Sequence, residues 1–175
     1  MRAALGAELG ARAGDNLFAG QIAYGWEYDY TSLSGAWKYT REFNRRNTLL
    51  HAGIAYAHDT MDVFNRGGID EDRDTVDGTL GLTQVVDRHT VLDINLTCGR
   101  ASGFLSDQYK VAEVDGELLP DNRPGARDRQ VAHVAITRAV TPAGASVEGA
   151  YRIHRDSYGI LAHTASLAWY QKVGP

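Results

Sequence analysis

The sequence predicts an all-β fold, an antiparallel up-and-down meander of eight or nine long strands, in a single domain of 175 residues. Three observations predict it. Apolar and polar residues alternate with a period of two from residue 18 onward, which indicates strands with one apolar face. Short segments rich in Asn, Asp, Gly and Arg separate these stretches, as turns do. No segment has the 3.6-residue period of an amphipathic helix.

The predicted strands follow one another along the whole chain. A weaker first strand covers residues around 5–9, and the alternation is cleanest where Leu92, Ile94 and Leu96 face away from Asp93 and Asn95. The regular strands are predicted around 18–28, 33–42, 50–57, 78–83, 92–98, 132–136 and 147–154, and in a last stretch that ends near 171. With their flanks they reach about ten to thirteen residues, which exceeds the usual soluble strand and suits a tilted membrane span.

The connections between these strands alternate in length. Those near 44–47, 87–89 and 141–143 are short, whereas the acidic stretch 59–74 and the stretch 100–127 are long. Alternate connections of a meander lie at the same end, so the short ones are expected together at one end and the long ones at the other. This asymmetry is typical of outer-membrane barrels.

The apolar face carries large aromatic residues near strand ends, where the aromatic girdles of a membrane barrel lie. These residues are Phe18, Trp26, Tyr28, Trp37, Tyr39, Tyr56, Trp169 and Tyr170. The opposite face mixes small and neutral polar residues with a few charges of both signs, as expected of groups that pair across a lumen. The candidate lumen residues are Gln21, Glu27, Lys38, Glu42, His51, Asp93, Asn95, Arg152 and His154. The pattern therefore favours a transmembrane β-barrel, or an open part of one, over a soluble barrel with its apolar stripe inside.

Composition limits the possible partners. The 18 Lys and Arg residues are outnumbered by 22 Asp and Glu residues, and no concentrated basic face predicts a nucleic-acid partner. Cys98 is the single cysteine, so no internal disulfide can form, and no zinc-finger spacing occurs. The chain begins without the pattern of a signal peptide, because Glu8 interrupts its first apolar stretch.

Three histidines suggest a metal site, but the sequence gives little support for it. His133, His154 and His163 fall on three consecutive predicted strands. A one-residue choice of register at 156–159 decides whether His163 lies inward beside Arg152 or joins the apolar face. Because isolated strand histidines are more often hydrogen-bonded structural residues, we predict no metal site and no cofactor.

Three further chemistries are weighed and not predicted. The acidic run 70–74, with Asp59 and Asp62, has oxygen ligands for Ca²⁺ but lacks the twelve-residue loop spacing, so a solvated outer loop is expected. The pair Gly67-Gly68 indicates a turn without a phosphate-binding loop around it. Residue types for a catalytic triad occur at His51, Ser102, Ser106 and Asp107, yet no Gly-x-Ser-x-Gly elbow singles out a nucleophile, so no catalytic residue is predicted.

The stretch around 102–123 is the best functional candidate, because long loops on rigid scaffolds carry function. The alternative is that this loop is a plug or a brace that pins the barrel mouth. Its candidate residues are Ser102, Gly103, Leu105, Asp107, Tyr109, Lys110, Pro120 and Arg123.

Motifs in this loop and elsewhere resemble those of a known family. Ser-Gly-Phe-Leu-Ser-Asp-Gln-Tyr-Lys stands at 102–110, before Leu119-Pro120 and Arg123-Pro124. Further matches lie at 27–32 with 43–44 and 47–48, at 82–85, and at 151–164. In this order they are similar to an uncharacterised family of Gram-negative outer-membrane β-barrel proteins, a domain of unknown function. The resemblance spans about residues 18–171. It implies an outer-membrane location, with membrane lipid and lipopolysaccharide as surroundings.

Members of that family are longer than this chain, and bacterial single-chain barrels have even strand numbers whereas the count here is nine. We therefore expect an internal part of a larger barrel, truncated at both ends. The alternative is a small barrel of eight strands that closes within this chain, if the first segment is not a strand. The predicted role is porin-like or structural in the envelope, with small-molecule solutes as possible cargo and no enzymatic activity. The alternatives are a soluble barrel that binds a small apolar ligand and, third, an embedded hydrolase.

Overall fold

The computed structural model describes residues 2–63 and 68–174, and in them nine strands form one antiparallel sheet in chain order. These strands are β1 (Ala3–Ala13), β2 (Asn16–Trp26), β3 (Tyr30–Phe43), β4 (Thr48–Val63), β5 (Ile69–Asp87), β6 (Thr90–Gly103), β9 (Ala126–Val140), β10 (Ala145–Asp156) and β11 (Leu161–Gln171). A separate hairpin pairs β7 (Val111–Val114) with β8 (Glu117–Pro120). The predicted all-β meander is confirmed. No helix in the described ranges is long and apolar enough to cross a membrane.

The predicted turns are confirmed where the chain reverses between neighbouring strands. Single 3₁₀ turns stand at Asn44–Arg46 and Thr141–Ala143, and β5 is joined to β6 by two residues. These short connections lie at one end of the sheet, which we call the short-turn end. The connection 104–125 lies at the opposite end, the loop end, together with the turn 157–160.

Two long loops are shorter than the sequence suggested. The prediction of a loop over 59–74 is wrong, because β4 continues to Val63 and β5 begins at Ile69, so the acidic run 70–74 lies in a strand. Asp59 stands opposite Arg73 in the register, and their ion pair holds the two strands together where apolar alternation ends. The second loop is reduced to 104–125 and contains the β7–β8 hairpin. Of the predicted Gly67-Gly68 turn, Gly67 is outside the described residues.

Cross-strand register assigns every strand residue to one of two faces, because residues directly opposite each other in an antiparallel pair point to the same side. The apolar face contains, in one row across six strands, Leu50, Leu82, Ile94, Val134, Tyr151 and Ala165. The polar face contains, in the next row, His51, Gly81, Asn95, His133, Arg152 and Thr164. The alternation predicted from the sequence is thereby confirmed.

The register contradicts the predicted face of one aromatic residue and decides the alignment of the last hairpin. Trp169 stands opposite Val147 on the apolar face, so its neighbour Tyr170, opposite Ser146, is on the polar face. The prediction that Tyr170 joins the apolar face is wrong, since successive strand residues alternate. His163 stands opposite Ile153 on the apolar face, which is the second of the two registers considered for the last hairpin.

The two faces exchange their character near the loop end. On the apolar face of β4, Tyr56 is followed by His58, Thr60 and Asp62. On the other side of the same strand, Met61 and Val63 are buried and pack with Phe104 from the connection 104–125. This loop-end cluster of Met61, Val63 and Phe104 is a small core of its own, and Tyr30 packs against it.

The sheet is open in the described residues, with β1 and β11 as its edges. Pairing of β1 with β11 would have excluded the hypothesis that the chain is part of a larger barrel. That pairing is not present, and the hypothesis stays a prediction.

Candidate functional site

The connection 104–125 leaves β6 by a turn that only glycine accommodates. Gly103 has a φ of +106°, and a Cβ at this position would lie 2.2 Å from the carbonyl oxygen of Asp72. The Phe104 N–H donates to that carbonyl at 2.8 Å, and the Gly103 N–H donates to the carbonyl of Gly125 at 2.9 Å. These contacts direct Phe104 toward the polar-face side of β4, where it joins the loop-end cluster.

The connection reaches across three strands to the turn between β2 and β3. Gln108 donates from Nε2 to the carboxylate of Asp29 at 3.0 Å, and the Tyr109 hydroxyl donates to the same Oδ2. Asp29 is buried, and its carbonyl accepts the N–H of Asp62 at 2.9 Å. Gln108 and Tyr109 therefore anchor the connection to Asp29, a residue about eighty positions away in sequence.

Beneath the connection, a buried carboxylate of β4 holds the first of four arginines. Asp59 accepts hydrogen bonds from Arg73 Nη2 at 2.7 Å and from the Tyr30 hydroxyl at 2.6 Å. Burial raises the pKa of the Asp59 carboxyl, but hydrogen bonds from Ser32, Tyr30 and Arg73 outweigh it and hold the pKa below its ordinary value. Asp59 is consequently charged at neutral pH and fixes the Arg73 guanidinium.

A second carboxylate holds the next arginine at the end of β10. Asp156 has a fully buried side chain and accepts from Arg127 Nε at 2.9 Å. Burial raises its pKa, but the hydrogen bonds from Arg127 and from the Ile160 backbone bring the pKa down to about 2. Tyr158 stacks on the Arg127 guanidinium, 5.1 Å from ring centre to Cζ, and donates its hydroxyl proton to the Pro124 carbonyl at 2.6 Å.

The other two arginines are held in the same way. Arg129 on β9 donates from Nε to Asp77 on β5 at 3.1 Å, and this contact passes over Gly99 of the strand between them. A Cβ on Gly99 would lie 1.9 Å from Asp77 Oδ1. Arg123 of the connection pairs with Asp121 at 2.9 Å.

These four side chains line one cavity of about 360 Å³. We call it the arginine cavity, and it is lined by Arg73, Arg123, Arg127 and Arg129, with Leu105 and Tyr158 among the residues that complete its wall. Sequence reasoning identified Arg123 and Leu105 but missed the other arginines, because Arg73 and Arg127 lie in stretches that were taken as loops and Arg129 lies before the strand predicted around 132–136. The alternation of Arg127 and Arg129 around Asp128 is the signal that could have found two of them.

Eight of the nine predicted lumen residues share the polar face. They are Gln21, Lys38, Glu42, His51, Asp93, Asn95, Arg152 and His154. Glu27 directly follows β2 and pairs with Arg2 at 3.0 Å. Their role in a lumen stays a prediction.

Several of these residues form cross-strand pairs. His51 Nε2 lies 2.9 Å from Asn95 Oδ1 across Gly81, and Thr83 donates to Asp93 at 2.5 Å. The polar face is thus joined from strand to strand by hydrogen bonds.

The residues predicted for the functional loop are divided between several positions. Ser102 stands opposite Asp74 on the apolar side, and Gly103 forms the exit from β6. Lys110 pairs with Asp107 at 3.2 Å, and the Asp107 N–H donates to Asp121 at 2.7 Å. Tyr109 reaches Asp29, Pro120 ends β8, and Leu105 and Arg123 line the arginine cavity. Their functional role stays a prediction.

In the described part of the chain, the residues of the metal and hydrolase hypotheses are not brought together. His133 and His154 lie on the polar face but His163 lies on the apolar face, so the three cannot converge. Across residues 2–63 and 68–174, no three His, Cys, Asp or Glu side chains are grouped to hold a metal ion. His51 and Ser102 lie on opposite faces, and Ser106 accepts the Arg123 N–H.

Comparison with known proteins gives a family without an assigned role. Residues 64–175 match the family described as "Protein of unknown function (DUF3570)". No curated protein matches the chain.

Proposed function

Since the chain belongs to the DUF3570 family of proteins of unknown function, its role has to be argued from its geometry, and we propose that it is an outer-membrane β-barrel protein. In this proposal the nine strands form part of the wall of the barrel. Their apolar face contacts lipid, and their polar face lines an aqueous lumen. The connection 104–125 narrows that lumen from the loop end.

The exchange of faces along β4 and β5 is the observation that carries the proposal. From Leu50 to Tyr56 the apolar side chains of β4 point to the exposed face. Beyond His58 the same face is polar, and the apolar Met61 and Val63 turn to the other side and are buried. This change is expected of a barrel strand that leaves lipid for water, because the outward face of such a strand is apolar only across the membrane band of ~25 Å.

The height of the apolar region supports a membrane band. On β2 it runs from Phe18 to Trp26, and on β11 from Leu161 to Trp169. The eight residue steps of each run rise about 27 Å along the strand. With the tilt of about 40° usual in such barrels, the height is about 21 Å, against an apolar band of ~25 Å in outer-membrane proteins.

The distribution of burial opposes a soluble barrel with an apolar interior. Ile54 and Leu80, on the apolar face of the central strands β4 and β5, are 56% and 62% exposed, while the carboxylates Glu42, Asp59 and Asp156 on the polar face are buried. A bilayer would cover the exposed apolar surface, so lipid and lipopolysaccharide are the proposed surroundings.

A pair of arginine substitutions on opposite faces of β6 tests the proposal. Ile94 is central on the apolar face, and Thr97 points to the polar face of the same strand. Ile94→Arg should reduce the free energy of unfolding from lipid bilayers by about 2–4 kcal/mol. Thr97→Arg, the matched control, places its charge in the lumen and should cost less than about 1 kcal/mol.

The measurement is urea unfolding of protein refolded into phosphatidylcholine vesicles, followed by tryptophan fluorescence. Equal effects of the two substitutions would contradict a lipid-facing apolar surface. A wild-type chain that stays monomeric in buffer without detergent would contradict it independently.

A further inference from the structure

We propose that the arginine cavity is a binding site for a soluble oxyanion that carries phosphate or carboxylate groups. Arg73, Arg123, Arg127 and Arg129 come from β5, the connection 104–125 and β9, yet they line one cavity at the loop end. Guanidinium groups match the paired oxygens of phosphate and carboxylate through two parallel N–H donors. The chemistry of the lining therefore selects an anionic ligand.

Each arginine keeps donors for a ligand although it is already ion-paired. A guanidinium has five N–H groups, and a two-point contact with a carboxylate uses two of them. Arg73, Arg127 and Arg129 all contact their aspartates through the Nε and Nη2 edge. The Nη1 edge points away from that carboxylate, so it is the edge that can bind a second anion.

The aspartates place the positive side of each ion pair toward the cavity. The four arginine side chains retain 34–43% of their exposure, whereas those of the aspartates retain 24% or less. A ligand entering the cavity meets the guanidinium groups first. The aspartates also hold these side chains in place, which reduces the entropy lost when a ligand binds.

The position of the cavity favours a solute over a lipid headgroup. Arg127, Arg129 and Arg73 are on the polar face, opposite the face proposed to contact lipid. The volume of about 360 Å³ is at the lower end of small-molecule sites. A ligand with two oxyanion groups, each bound by two guanidiniums, would use all four arginines.

Calorimetric titration of the detergent-refolded chain of 175 residues with inorganic pyrophosphate tests this inference. We expect saturable binding to the wild type. Arg123→Gln, on the connection, should weaken it at least about tenfold, because it removes a charge-assisted contact. The double variant Asp77→Asn with Arg129→Gln should do the same without leaving an unpaired carboxylate.

Arg100→Gln is the matched control. Arg100 is also ion-paired near the loop end, with Asp128 at 3.4 Å, but it lies on the opposite face. Its loss should change binding by less than about twofold. Urea midpoints within error of the wild type establish that the Arg123→Gln protein is folded.

Three results would overturn the inference. These are no pyrophosphate binding by the wild type, unchanged binding by the folded Arg123→Gln protein, or an equal loss with Arg100→Gln. Phosphatidic acid in mixed micelles tests the alternative that the cavity binds the phosphate of a lipid headgroup. If this lipid binds through the arginines and pyrophosphate does not, the inference of a soluble ligand is also overturned. The outcome is separable from the proposed membrane location, since binding can be measured whether or not the chain requires detergent.

Discussion

Replacing Gly103 by alanine is expected to release the connection 104–125 from the polar face. The perturbation is one methyl group, placed 2.2 Å from the Asp72 carbonyl oxygen on a backbone with a φ of +106°. Contacts this short do not persist, so either β5 or the connection must shift. The connection is the weaker of the two, because β5 is paired with β4 along this stretch and with β6 from Arg73 onward.

The magnitude follows from the contacts that a shift would break. Left-handed backbone strain on a residue with a side chain costs about 1–2 kcal/mol. The hydrogen bonds from the N–H groups of Gly103 and Phe104 contribute about 1 kcal/mol each. Partial exposure of the buried Phe104 ring adds about 1–2 kcal/mol. Because not every contact is lost together, we expect docking of the connection to weaken by about 3 kcal/mol or more.

Hydrogen–deuterium exchange of a peptide covering 103–110 measures this docking directly. A loss of about 3 kcal/mol raises the population of the open connection, and hence the exchange rate, about 100-fold. The control is Gly116→Ala at the tip of the β7–β8 hairpin. Gly116 has a φ of +83°, but a Cβ there has no neighbour within 4 Å. The control therefore carries backbone strain without the collision.

Exchange of the 103–110 peptide at the same rate in both variants would refute the reasoning. It would mean that the collision with the Asp72 carbonyl is relieved without undocking. If the exchange rate rises in all strands, the substitution destabilises the sheet rather than the docking of the connection.

Two further predictions concern cross-strand pairs. Gly99→Ala should separate Arg129 from Asp77 and lower the urea midpoint by an amount equivalent to at most about 1 kcal/mol, since both side chains are partly exposed; an unchanged midpoint would show that the pair contributes nothing. Beyond the apolar band, the hydrogen bond to Asp74 raises the pKa of His58, so this pair stabilises the fold below about pH 6.5 and its contribution is lost as the pH rises through the folded-state pKa. An NMR titration of His58 should give a value above 6.5 that falls in the Asp74→Asn variant, and an unchanged value would contradict the assignment.

The strand order and the two faces could be predicted from the sequence because alternation records them directly. Leu92, Ile94 and Leu96 differ so clearly from Asp93 and Asn95 that only one assignment of faces is possible. The extension of β4 and β5 could not be predicted in this way. In the run 70–74 both faces carry charges, and the strands are held there by specific pairs such as Asp59 with Arg73. Such pairs become visible only when the register is known.

The register of the last hairpin depended on local turn chemistry that composition does not reveal. Asp156 accepts the N–H groups of Tyr158 and Ile160, both at 3.0 Å, and so fixes the length of the turn. The residues that follow on the polar face of β11 are Ala162 and Thr164. Both are small, so they favour neither of the two registers. Most of the arginine cavity was not predicted, because Arg73 is about fifty positions from the other arginines in the sequence and only the order of the strands brings it close to β9.

The two glycines under the cross-strand pairs have a consequence for how the sheet aligns. A slip of two residues leaves every side chain on its own face, so the apolar pattern cannot oppose it. Such a slip of β6 would place Thr97 or Ala101 between Asp77 and Arg129 in place of Gly99. A slip of β5 would place Thr79 or Thr83 where Gly81 lets His51 meet Asn95. Gly99 and Gly81 therefore permit these contacts in one alignment only. A sheet that is misaligned by two residues during assembly has a side chain between the partners, so it lacks the Asp77–Arg129 ion pair or the His51–Asn95 hydrogen bond of the native sheet.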